Sequence, residues 1–144
     1  MNPIDLMSLY VAYLRALYQI HQNNHWKTKG NDFYGNHLLF QRLYEAVQEM
    51  ADGAAEKTIG VFGDLNVSPE KIAEITEKFS TEDPVVSSLK AEKGFQALST
   101  MVYDELEKAD LLTLGIDDMI MSNANTSETH CYLLQQAIGS NQDK

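Results

Sequence analysis

A chain of 144 residues with 44% hydrophobic and 22% charged side chains has the make-up of one globular domain with its own core, which argues against disorder and leaves two domains cramped. Its formal charge of −10 and its 11 scattered Lys and Arg disfavour a basic face that would neutralise phosphates, so DNA binding is expected to be weak or absent. Cys131, the single cysteine, excludes an internal disulfide and fits a reducing compartment, and no apolar stretch approaches the ~20 residues that span a bilayer.

The opening MNPIDLMSLY has neither the positive region nor the apolar run of a signal peptide, so a cytoplasmic location without membrane contact is expected. From residue 3 to about 25, Leu6, Leu9, Tyr10, Tyr13, Leu14, Leu17, Ile20 and His21 recur three and four apart. This is the stripe of an amphipathic helix, with Asn2 as N-cap and Pro3 in the first turn. Gly30, Asn31 and Asp32 predict a turn over 27–32 and a cap for the next helix. That second helix, over 33–62, has Phe40, Leu43, Tyr44, Val47, Met50, Ala51, Ala54, Ile59 and Phe62 as its inner face and stops at Gly63.

SPEKIAEITEKF, residues 68–79, is a three-turn helix with Ser68 as N-cap, Pro69 at the first position, and Glu70 and Glu74 near its positive end. STEDP, 80–84, is a loop, and a third long helix is expected to run to about residue 114. Gly115 then breaks the pattern and Asp117 caps a fourth, through Met119, Ile120, Ala124, Cys131, Leu134 and Ile138; its middle, SNANTS at 122–127, is made of weak helix formers. Met101, Met119 and Met121 read as core filling, and neither a repeat nor a strand period occurs. Four long helices and a short one predict an all-α antiparallel four-helix bundle, one domain over 1–144. If the second and third long helices run the same way, the short helix lies in the connection that crosses between them, as in ferritin-like bundles.

Asp52 and Glu56 fall one turn apart on one face of the second helix, and His25 and His37 flank the turn before it. Two imidazoles with two carboxylates suit a first-row transition ion such as iron, and suit calcium or a closed zinc site less well. Fifteen residues of continuous helix put His37 about 22 Å from Asp52, yet only about 60° apart around the axis. Two chains packed about a two-fold axis with these helices antiparallel would bring the histidines of each to the carboxylates of the other. Taken alone, each histidine also suits a helix end or a satisfied core position; the combination favours metal. His21, one turn before His25 on the same face, could be an outer ligand but better suits packing or a supporting hydrogen bond. His130, with only Glu128 near it in sequence, suits a structural place. Asp117 and Asp118 are candidates for an acidic feature that attracts cations. No nucleophile–base pair or phosphate-cradling glycine loop occurs.

These residues resemble the Dps-type miniferritins, ferritin-like proteins that protect DNA in starved cells. His25 followed by Trp26, then Gly30, His37, and the Asp52 and Glu56 pair match the family's inter-subunit ferroxidase motif at its spacings. Phe33, Phe40 and Tyr44 fit the apolar positions around it, and ETHCYLLQQA at 128–137 is similar to the closing helix. The resemblance implies two-fold dimers assembled into a twelve-subunit cage. It also implies that Fe²⁺ is oxidised, preferably by hydrogen peroxide or else by oxygen, at two-iron sites between subunits, with ferric mineral stored inside. His25 and His37 would be neutral nitrogen ligands, Asp52 a terminal carboxylate and Glu56 a bridging one, with Trp26 packed beside them. Gln41 departs from the family, which usually has an aspartate there; an amide coordinates only as a neutral group. That departure keeps open a non-catalytic metal-binding or structural assembly. The Lys-rich terminal extension of many DNA-binding members is absent from the sequence.

Overall fold

The structure, a computed structural model, describes residues 2–80 and 82–142, with side chains to 139. Among the described residues there are five α-helices and no strand: α1 Pro3–Lys27, α2 Phe33–Phe62, α3 Pro69–Lys78, α4 Pro84–Lys108 and α5 Leu114–Gln142. The caps read from sequence are largely in place. Asn2 accepts from the Asp5 amide at 2.8 Å, Ser68 from Lys71 at 3.1 Å, and Gly63 ends α2 in the left-handed region at φ 93°. Asp32 holds the N-cap position of α2, but its side chain does not make the capping hydrogen bond. In the predicted loop at 80–84, Thr81 lies outside the described residues and Pro84 already begins α4.

Two expected helix ends are corrected. The third long helix ends at Lys108, six residues before the expected stop, because Asp110 takes the left-handed conformation at φ 59°. The Leu111 amide then reaches the Leu106 carbonyl at 2.9 Å and that of Asp110 reaches Glu107 at 3.1 Å, the paired bonds of a Schellman ending with an aspartate where glycine is usual. Thr113, not Asp117, caps α5 by accepting from the Ile116 amide at 3.1 Å, so Gly115 and Asp117 fall inside the first turn. The weak helix formers at 122–127 sit in an unbroken α5. Two of its polar residues there find tertiary partners: Asn123 donates to the Tyr10 hydroxyl at 2.9 Å and Ser127 to Glu92 at 2.7 Å. Contacts across the bundle override local propensity.

One small core cluster reveals the topology. Phe40 and Leu43 near the start of α2 pack with Val85 at the start of α4 and Leu134 late in α5. The starts of α2 and α4 therefore share one end of the bundle and the two helices run parallel, so residues 63–83 must return along its length. α3 makes that crossing over α1, where Ile72 covers Ala12 and Ala16. The larger cluster lies on the other faces of α1 and joins Met7, Leu14 and Leu17 to Val47, Phe95, Val102 and Ile116. Burial therefore wraps α1 far beyond the predicted stripe, because α2, α3 and α4 all pack on it.

Ile59, expected inside, is 50% exposed; the neighbouring Thr58 is buried and satisfies its hydroxyl on the Ala54 carbonyl at 2.7 Å. Met101 and Met121 face outward, and only Met119 packs against the core.

Gly94 on α4 makes room for Tyr13 of α1, whose hydroxyl donates to the Ala91 carbonyl at 2.7 Å. A Cβ at position 94 would meet that hydroxyl. Gly94→Ala is expected to cost about 1–3 kcal/mol in urea unfolding, overpacking outweighing the better helix propensity of alanine. In a Tyr13→Phe background, which lacks the clashing oxygen, the same substitution is expected to be nearly neutral. Equal costs in both backgrounds would contradict the contact.

Candidate metal centre

The end of α1 lies beside the start of α2 because residues 28–32 reverse the chain, with Gly30 at φ 96°, a conformation that a Cβ would strain. His25 Nδ1 lies 2.7 Å from the His37 carbonyl oxygen, and His37 Nδ1 lies 2.8 Å from the His25 carbonyl oxygen. A carbonyl only accepts, so both Nδ1 atoms carry hydrogen and donate, and in the neutral rings the lone pairs are left on Nε2. The two imidazoles stack with centroids 3.7 Å apart and 17° between their planes. Phe33 extends the stack over His37 at 4.9 Å, and Tyr44 meets His25 edge-on at 5.3 Å. A backbone acceptor on Nδ1 is what fixes the tautomer and tilt of metal-binding histidines.

The carboxylates are elsewhere. Asp52 and Glu56 are exposed on α2, fifteen and nineteen residues beyond His37 on the same continuous helix. Asp52 lines a cleft of about 550 Å³ between α1 and α2, together with Arg15, Tyr18, Gln22 and the apolar Val11 and Leu65. Among the described residues, no three His, Cys, Asp or Glu side chains gather as metal ligands. One protomer therefore joins His25 to His37 and carries Asp52 and Glu56 one turn apart on α2, but does not bring the first pair to the second.

Gln41, one turn after His37, is half-buried and donates to Glu45 Oε1 at 3.0 Å. Trp26 is 64% exposed. At the start of α5, Asp117 is half-buried and Asp118 exposed.

A second polar constellation was hidden in the sequence. Glu92, on α4 in register with Val85, Ser88, Phe95, Ser99 and Val102, is fully buried. Its Oε2 accepts from His21 Nε2 at 2.6 Å and from His130 Nδ1 at 3.2 Å, and its Oε1 accepts from the Ser127 hydroxyl at 2.7 Å. Burial by itself would raise the carboxyl pKa. The hydrogen bonds from His130 and His21 outweigh that and hold it at about 2, so a full negative charge lies in the bundle interior. His130 thus has a carboxylate partner after all, 38 residues away in sequence, and Glu128 plays no part in it. His21 turns to α4, with Nδ1 2.9 Å from Ser88 Oγ. The available signal was an acid in the apolar stripe of a helix, a place where an unpaired charge is not tolerated. Cys131 beside it is buried, and burial together with the Glu92 charge pushes its thiol up to about 11, which keeps it protonated.

No family model matches the chain. It is 28% identical to general stress protein 20U of Bacillus subtilis over 151 residues, covering 94% of this chain and 97% of that one. It is 30% identical to the DNA protection during starvation protein of Halobacterium salinarum over 81 residues, which is 56% of this chain and 44% of that protein. Its fold is that of the Dps-type miniferritins, and its sequence resembles theirs. The structure of Dps from Microbacterium arborescens in the high iron form superposes with a TM-score of 0.80 at 17% identity, over 95% of this chain and 92% of that one. The Dps-type fold accounts for α3, the short helix that lets α2 and α4 run parallel. Among the described residues no helix is long and apolar enough to cross a membrane.

Proposed function

We propose that the protein oxidises Fe²⁺, with hydrogen peroxide as the preferred oxidant, at a site shared by two chains, and stores the ferric product. The observation that carries this reading is the His25–His37 pair, two nitrogen donors held ready by backbone carbonyls and, among the described residues of their own chain, not gathered with any carboxylate into a metal-ligand group. A two-fold partner would bring its exposed Asp52 and Glu56 to them and receive the same in return. Likeness to a Dps structure described as a high iron form supports iron as the substrate.

In this reading His25 and His37 bind through Nε2, Asp52 binds one ion, and Glu56 bridges two. Two Fe²⁺ give up one electron each. Peroxide takes both electrons and two protons, its O–O bond breaks, and two waters form. Consuming both reagents removes the source of hydroxyl radical. The charge of −10 favours cation uptake over contact with DNA, and the protection would be chemical. Trp26, exposed in the protomer, would pack beside the completed site. The dimers would assemble into a twelve-subunit cage, and a light-scattering mass of one or two chains would contradict that.

Mixing Fe²⁺ with peroxide anaerobically should raise ferric absorbance faster than in a protein-free control. A second reading, an assembly that holds metal without oxidising it, is favoured by one observation: Gln41 brings no charge and its amide is engaged with Glu45. Iron that binds but oxidises no faster than the control would select the second reading.

A further inference from the structure

We propose that Glu92 is a positioning residue for His25, acting through His21: it fixes how the last two turns of α1 sit on α4, and so where His25 presents its Nε2. The inference rests on the shared-site reading above. His21 and His25 are one turn apart on α1, about 40° around the axis, and a hydrogen-bonded helix moves them as one body. On the α4 side His21 is held at both ring nitrogens, by Glu92 at 2.6 Å and Ser88 at 2.9 Å. Asn24, the residue before His25, adds a second tie to α4, donating to Ser87 at 3.2 Å and Ser88 at 2.8 Å.

On the opposite side His25 exchanges hydrogen bonds with His37 of α2. The end of α1 is thus pinned from both flanks. An apolar contact of the same volume would fill this space while permitting small rolls and slides of α1. A buried carboxylate with three donors does not, because any shift leaves a charged or polar group unpaired. His130 and Ser127 tie the same carboxylate to α5, so Glu92 is held in place independently of α1.

Co²⁺ is a suitable probe, since its visible bands report ligand geometry without iron turnover. The assembled wild-type protein should bind Co²⁺ with a band that Asp52→Ala removes. His21→Leu and Glu92→Leu, neither of which replaces a proposed ligand, should each weaken Co²⁺ binding about tenfold and shift the band. Val102→Ala, a buried deletion on α4 outside the cluster, should lower stability and leave affinity and band as in wild type. Wild-type affinity and band in His21→Leu overturn the proposal, as does an equal loss in Val102→Ala. Should the two leucine variants fail to fold, Glu92→Gln, which keeps the volume and an acceptor but loses the charge that holds His21, decides: about tenfold weaker binding supports the proposal and unchanged binding overturns it. Wild-type Co²⁺ binding that is absent, or indifferent to Asp52→Ala, overturns the shared-site reading itself and the proposal with it.

Discussion

His37→Ala and Asp52→Ala proteins should each lose Fe²⁺ binding, and unfolding and reassembling them together should restore about one quarter of the wild-type sites. That fraction comes from two-fold symmetry. Half of the randomly formed dimers are hybrids. In each hybrid one site combines both defects, while the other joins the intact histidines of the Asp52→Ala chain to the intact carboxylates of the His37→Ala chain. Isothermal titration with Fe²⁺ under anaerobic conditions counts the sites. No recovery would place the site within one chain, against the separation of the two pairs along α2.

The second large effect belongs to the interior. Glu92→Leu keeps most of the volume but leaves the N–H groups of His21 and His130 and the Ser127 hydroxyl without an acceptor at a fully buried position. The expected loss is about 3–5 kcal/mol in urea unfolding at fixed protein concentration, a large part of an ordinary protein's stability. Replacing His21, Glu92 and His130 together by leucine should recover much of it, because the two imidazoles are then removed with their acceptor and only the Ser127 and Ser88 hydroxyls lose a partner. A loss below about 1 kcal/mol for the single variant would mean that the cluster is not closed as described.

The same group predicts a pH dependence. The carboxyl pKa of Glu92 falls from 4.5 to about 2 on folding, so its contribution is present above about pH 4.5 and lost as pH falls towards 2. Glu92→Gln cannot titrate, and its stability should decline less steeply across that window. Identical acid limbs in the two proteins would show that the buried carboxyl is not ionised.

Much of the fold was legible because its signals are local. Proline at the first helical positions, Asn2 and Ser68 as caps, and Gly63 as a stop each act within one turn of their own backbone, and each does so in the structure. The missed boundary at Lys108 is also local, but it uses Asp110 in a role that usually goes to glycine, while Gly115 drew attention to the wrong place. The mislaid core residues have a different cause. Ile59 fits an inward stripe by spacing and Met121 reads as core filling by its side chain, but which arc of a helix is covered depends on where its neighbours sit.

The candidate site divides in the same way. Spacing alone put Asp52 and Glu56 on one face and too far from His37 to share an ion within the chain, since both statements rest on the pitch of a helix. The sequence by itself thus determined the five helices, most of their ends and the separation of the four candidate ligands. Only the tertiary structure decided that His25 and His37 lock each other's Nδ1 on backbone carbonyls, and that Glu92, not Glu128, answers His130. These pairings join residues of different helices, up to 71 positions apart for His21 and Glu92. Such partners are chosen by how helices roll and pack against one another, and a periodic pattern along one helix carries no record of that.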